Sequence, residues 1–402
     1  MTVIYRAARV FDGQAMTANR RVVVEGERIV DVLGDDGPER DVVELGEATI
    51  LPGLVDAHVH LVWDGSVAPE SVVASESAVR TSFRAAARAE AHLRAGVVAV
   101  RDLGSTEALA IEVAGAIDAG LARGPRVVAA GRAVTMTGGH VHCIGREADG
   151  ADAVRHAVRA EIKFGAECIK LMASGGILGP PGELPGAVQL TAGELAVAVD
   201  EAHRAGRGVA AHAHSVESIV NALDAGADSI EHGSRLDAPT AARMADAGVY
   251  LVPTLAPLRS ICANGRALGM PPDVLAKATD LLDLTAESFH TALAHQVPLA
   301  AGTDAGVPTQ RHGLVWQELA TMVQLGCPPE VALRAGTAGG ARLLGLGDTA
   351  GRVLAGARAD LIAVPGDPRD DPSVLARPCL VLLDGNPIVA HHREEPAWTS
   401  RC

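Results

Sequence analysis

Aromatic side chains are scarce. Phe, Tyr and Trp make up 2% of the 402 residues, so few surfaces exist for stacking a planar ring, and the core must be built from Ala, Val and Leu. Paired cysteines are also missing. Those at 143, 168, 262, 327, 379 and 402 contain no CxxC pair, which excludes a zinc knuckle and reads as scattered reduced thiols without a disulfide framework. There is no run of Lys and Arg, and the formal charge is −14. That balance excludes a general nucleic-acid surface, which needs clustered cations to neutralise phosphate. No apolar stretch reaches the roughly 18 residues of a membrane span. The opening MTVIYRAARVFDG carries charge where a signal peptide needs an apolar centre. These absences predict a cytoplasmic protein acting on a small molecule or short peptide, with no nucleic-acid or membrane partner.

What is present is a chain that is 48% hydrophobic, with 44 glycines. At this length about 75% of the unfolded surface is buried, enough for an enclosed site. Residues 3 to 50 read as short strands separated by Gly, Asn and Asp turns, and the same pattern returns after 350 in GRVLAGARADLIAVPG and CLVLLDGNPIVAHH. Neither end offers much core alone. The expectation is one small β-sandwich domain from residues 1–52 plus 350–402.

Between the ends, strand and amphipathic helix alternate. Eight strands are expected at 54–60, 97–102, 126–131, 168–172, 208–212, 228–232, 249–253 and 298–304. Helices are expected at 71–94, 107–121, 151–164, 191–205, 215–225, 238–246, 273–294 and 312–325, with a further one at 329–344. Eight such units over residues 53–349 predict an α/β fold of the (β/α)₈ TIM-barrel type, with chemistry at the C-terminal ends of the strands. An open doubly wound sheet places ligands at one switch point and leaves polar strand ends far apart in sequence unexplained. Two long Gly-rich connections, 132–150 and 173–190, leave the same face.

Those strand ends carry the chemistry. His58 and His60 close the first strand as DAHVH, and positions i and i+2 share one face. His212 and His214 close the fifth in AHAHS, His232 the sixth in IEHG, and Asp304 the eighth in AGTDAG. Burying such groups unpaired costs several kcal/mol each (~2–7), so one shared purpose is simpler than six separate repairs. Lys170 lies inside the apolar run CIKLM. A buried ammonium needs a carboxylate or loses its proton. The neutral amine can take up CO₂ as a carbamate that bridges two cations. The competing readings are a lysine extending to the strand end and a Schiff-base amine.

The ordered set DAHVH, IKLMASGG, AHAHS, IEHG and AGTDAG resembles the binuclear, carboxylated-lysine subtype of the amidohydrolase superfamily. Within it, the set is similar to the branch of prolidase-like Xaa dipeptidases, N-acyl amino acid hydrolases and ochratoxinase, adjacent to imidazolonepropionase. The resemblance implies two divalent ions, with zinc the default. It assigns His58, His60 and Asp304 to one ion, His212 and His232 to the other, and N6-carboxylated Lys170 to both. Alternation does not choose between His212 and His214; the resemblance chooses His212 and leaves His214 as a catalytic and substrate contact. It places His140, in TGGH, at the substrate's carboxylate, with His142 as competitor. Trp63, just beyond His60, offers one of the few stacking surfaces.

The activity implied is hydrolysis of the amide bond of dipeptides or N-acyl amino acids with a free carboxylate, with Asp304 as proton carrier. The alternatives are a cyclic amide, imidazolone or urea-type C–N hydrolase, a phosphotriesterase side activity, and a catalytically silent metal-binding barrel. A homo-oligomer is expected because symmetric assembly is common.

Overall fold

The computed structural model describes residues 2–37, 40–179 and 182–390. The expected strand-like ending at His391 and His392, and the rest of the chain to 402, lie outside the described residues.

Both chain ends feed one mixed sheet of eight strands. Its order is Asn386–Ala390, Leu380–Leu383, Leu361–Val364, Thr49–Pro52, Thr2–Phe11, Met16–Glu25 and Arg28–Leu33, with Val42–Glu44 added beside Thr2–Phe11. Alternation drives one face inward: Tyr5, Ala7, Val22, Val24 and Ile29 pack with Ile50, Leu361, Ala363 and Leu382 in a core of their own.

The middle of the chain forms parallel strands with helices between them. One sheet holds Leu54–Val59, Val97–Asp102 and Arg126–Ala129. The other runs Arg146–Glu147, Val134–Thr135, Cys168–Met172, Gly208–Ala213, Ser229–His232 and Tyr250–Val252. The strands are almost wholly buried and rich in Ala and Val, as a parallel sheet covered on both faces requires. Local signals fix the helices. Thr191 and Glu194 form a capping box at Ala192–Arg204, and Ser215 and Asp237 cap Val216–Ala225 and Ala238–Ala247.

Four expectations need correction. The stretch 298–304 is not a continuous strand. It makes one isolated parallel bridge, Leu251 to Leu299, with a second from Val59 to Ala305 just beyond it, because the Ala301 amide is spent on the Ala335 carbonyl and Asp304 adopts φ 51°. The helix expected at 71–94 is two, Pro69–Ser75 and Ala78–Arg94, the second capped by Ser77. The helix expected at 329–344 is interrupted by a π-helical turn over Ala335–Gly339, the turn that presents the Ala335 carbonyl to Ala301. An unexpected helix, Leu255–Asn264, follows the Tyr250–Val252 strand.

Candidate metal centre

The strand ends converge on one cavity of about 70 Å³. His58, His60, Lys170, His212, His214, His232 and Asp304 all line it. Among the described residues, two groups offer ligand atoms within 4.8 Å of one another: His212, His214 and His232, and His58, His232 and Asp304. His232 belongs to both, which places the two groups side by side. His60 joins through Asp304, whose Oδ1 lies 3.2 Å from His60 Nε2 and 3.4 Å from His58 Nε2. Distance does not separate His214 from the other two members of its group.

Each histidine spends one ring nitrogen on the protein and leaves the other for the cavity. His58 Nδ1 donates to Glu231 Oε2 at 2.8 Å, and His60 Nδ1 to the Gly104 carbonyl at 3.0 Å. His214 Nδ1 meets Ser234 Oγ at 2.9 Å, and His232 Nδ1 meets Thr254 Oγ1 at 2.7 Å. His212 is reversed, its Nε2 bonding the Gly175 carbonyl at 3.0 Å. Partners of this kind fix tautomer and ring orientation in metal-binding histidines. Burial lowers His58 to about 4 and His214 to about 3, and holds His212 and His232 well below the ordinary histidine value. These four rings are therefore neutral, as ligation requires, whereas Asp304 beside His60 raises that ring above its ordinary value against the effect of burial.

Lys170 and Asp304 each leave a buried polar atom without a hydrogen bond. Lys170 Nζ has no hydrogen-bond partner, and Asp304 Oδ1 makes no aligned hydrogen bond. Burial lowers Lys170 to about 8. Burial alone would raise Asp304, but His58 and His60 beside it hold its carboxyl at about 2. Neither Glu231 nor Glu167 serves Lys170 as a hydrogen-bonded carboxylate partner. Glu231 is engaged by His58, Ser229 and Arg101, and Glu167 makes no hydrogen bond to Lys170 Nζ. Imidazoles, an ionised carboxylate and an unpartnered amine around one space form a donor set suited to divalent cations.

Backbone conformation aims two of these groups. His232 has φ 68° and Asp304 φ 51°, a left-handed geometry uncommon outside glycine that collects at functional sites. The Asp56 carboxylate steadies the turn before Asp304 by accepting from Thr303 N and Oγ1 at 2.9 and 2.6 Å.

The long loops supply the rim. His140 is buried, and its Nδ1 lies 2.8 Å from Glu183 Oε1, which also accepts from Gly176 N. Gln189 accepts from His140 N. The His140 ring packs 4.5 Å from His212, centroid to centroid. Gly176 must lack a side chain here, because a Cβ would come within 2.1 Å of the ring. His142 is exposed and bonds the Gly139 carbonyl. It lines a neighbouring cavity that shares Trp63, Val141 and Leu178 with the first. Trp63 is buried, 4.8 Å from the His60 ring, with Nε1 unpartnered.

Several supporting residues escaped the sequence reading. Arg101 was visible as a charge within the apolar run VVAVRD, but its pairing with Glu231 was not. Thr254, Ser234, Glu183 and Gln189 carry no local signal.

The amidohydrolase family model matches residues 49–388. The ochratoxinase of Aspergillus niger is 30% identical over 417 aligned positions, covering 94% of this chain and 84% of that protein. A crystal structure of a Xaa-Pro dipeptidase with methionine bound in the active site superposes with TM-score 0.88 at 30% identity, covering 97% of this chain and all of that one. A prolidase complexed with N-methylphosphonate-L-proline gives the same TM-score, identity and coverage.

Proposed function

We propose, from the premise that this chain belongs to the amidohydrolase family, that it is a metal-dependent hydrolase cleaving the amide bond of dipeptides or N-acyl amino acids that keep a free carboxylate. The observation that carries this is the convergence of five histidines and Asp304 on one buried space, with Lys170 unpartnered at its wall.

In this reading His58, His60 and Asp304 would hold one cation, and His212 and His232 the other. Lys170 would serve both once its neutral amine had added to CO₂ and lost a proton. Zinc suits the nitrogen and oxygen donors. When bound, the cations supply Lewis acidity and lower the pKa of water.

The chain's own groups do the rest. Asp304 takes the proton of the attacking water and passes it to the leaving nitrogen, which cannot depart as an amide anion; such transfer is typically worth about 10²–10⁴-fold. His214, beside His232, faces the scissile carbonyl oxygen. His140 receives the substrate carboxylate, and Glu183 behind it favours an Nδ1–H that orients the ring. Trp63 offers an indole N–H and a ring face at the mouth.

The architecture proposed with this chemistry is a closed (β/α)₈ barrel over 53–349 and a β-sandwich domain from 1–52 plus 350–402. Support for closure comes from the Ala57 N bond to the Ala301 carbonyl, which ties the first sheet to the 298–304 segment that bridges to Leu251 of the second, and from the Glu167 N bond to the Ala129 carbonyl just before Cys168–Met172. Among the described residues no helix is long and apolar enough to cross a membrane, and a cytoplasmic setting is proposed. The test is a screen of dipeptides and N-acyl amino acids against cyclic amides and ureas, using protein of known metal content. Turnover of the linear substrates is expected; cleavage confined to the cyclic ones overturns the reading.

A further inference from the structure

Thr254 occupies the N-cap position of helix Leu255–Asn264, where a threonine hydroxyl ordinarily accepts from a first-turn backbone N–H. It does not do so. Thr254 has φ 47° and ψ 53°, makes no side-chain cap, and turns its Oγ1 to His232 Nδ1 at 2.7 Å. The helix is nevertheless capped. Glu318, from helix Val315–Gln324, accepts from Leu255 N at 2.9 Å and Ala256 N at 2.7 Å, one carboxylate oxygen to each.

Glu318 has no other assigned task. It is fully buried and forms no ion pair among the described residues. Burial pushes its carboxyl up to about 8, against the pull of the two backbone N–H groups. Burying a carboxyl without a cation is costly, and a helix start can be capped by its own threonine. The costlier arrangement releases the Thr254 hydroxyl. It also holds a β-branched residue in the left-handed region, which such residues strongly disfavour.

We propose that Glu318 is a positioning residue for the metal centre: by capping Leu255–Asn264 in place of Thr254, it frees the Thr254 hydroxyl to orient His232. The inference rests on the proposed role of His232 as a metal ligand. Removing an outer partner of a metal-binding histidine lowers metal affinity by about 10–100-fold. The effect of Glu318 should have that size and should pass through Thr254.

The test is a double-mutant cycle read by metal affinity from chelator competition, with thermal unfolding measured beside it. Thr254→Val removes the hydroxyl and keeps the branched shape; Glu318→Gln keeps the volume and removes one of the two acceptors. Each is expected to weaken binding of the ion assigned to His232 about 10–100-fold. The double variant is expected to bind no worse than Thr254→Val alone, while its loss of thermal stability is the sum of the two. Additive losses of metal affinity, or a Glu318→Gln protein that loses stability and keeps its affinity, overturn the inference. Thr254→Ser, which keeps the hydroxyl, is expected to retain affinity, and it tests the same route if Glu318→Gln proves insoluble: loss of affinity there contradicts it. His232→Ala checks the underlying reading separately. If it keeps both ions, His232 is not a ligand and the metal assignment fails, whatever the cycle gives.

Discussion

His58 Nδ1 donates to Glu231 at 2.8 Å, and Glu231 is itself held from the far side by Arg101 at 2.8 Å. All three are buried, so the orientation of one proposed ligand depends on a carboxylate shielded from solvent. Burial alone would raise Glu231, but Arg101 and His58 hold it at about 2. Arg101→Met strands that charge. Breaking a buried pair from one side typically costs about 3–5 kcal/mol, and denaturant unfolding is expected to show a loss of that order. Glu231→Gln removes the charge and is expected to weaken metal binding about 10–100-fold, measured by chelator competition.

Lys170 Nζ, buried and unpartnered, is proposed to carry a carbamate. Protein loaded in ¹³C-bicarbonate is expected to show a carbamate carbon resonance that Lys170→Ala lacks. Lys170→Ala should lose metal and turnover together, with partial recovery in short carboxylic acids. A variant with both ions bound and full activity in the absence of such acids would remove the bridge from the account.

Gly176→Ala drives a methyl group into the His140 ring. If His140 receives the substrate carboxylate, the damage falls on binding. A hydrogen bond to a charged group is worth about 1.5–3 kcal/mol, so KM should rise by about tenfold or more. Because the interaction is made in ground and transition states alike, kcat should stay near wild type. Steady-state kinetics on an N-acyl amino acid distinguishes this from a change in kcat alone.

The buried His92 and half-buried His312 form a pair beneath the segment that follows His60. His92 Nε2 lies 3.1 Å from His312 Nδ1, and His312 Nε2 donates to the Trp63 carbonyl at 2.8 Å. Burial holds His312 at about 4 and His92 well below the ordinary value. A histidine whose folded pKa is depressed takes up its proton preferentially when unfolded. The stability it contributes is therefore complete above the ordinary value near 6.5 and drains away as pH falls toward 4. The unfolding midpoint is expected to fall across that window, and His92→Leu to flatten the slope. An unchanged slope would assign the acid sensitivity to other groups.

The residues gathered at the cavity were legible because each is a polar interruption within or at the end of an apolar run. His58, His60, His212, His214, His232 and Asp304 all stand there, and Lys170 interrupts CIKLM. Their supports were illegible because they come from elsewhere in the chain. Nothing local to Glu318 says that it caps Leu255–Asn264, and nothing near Glu183 says that it meets His140. The helix at 255–264 was missed because its cap is borrowed from another helix. The segment 298–304 reads as a strand by composition, but the amide of Ala301 goes to the π-helical turn at Ala335 and Asp304 leaves extended geometry. Alternation also leaves His212 and His214 equivalent, and in the structure both sit within the same ligand-distance group.

The central claim is that these side chains hold two divalent cations that the reaction needs. The direct measurement is metal stoichiometry by elemental analysis, taken with turnover of an N-acyl amino acid on the same samples, for wild type, chelator-stripped and remetallated protein. Two ions per chain, loss of turnover on stripping and its return with metal are expected. Stripped protein that keeps full turnover, or reconstituted protein that binds no metal, would contradict it.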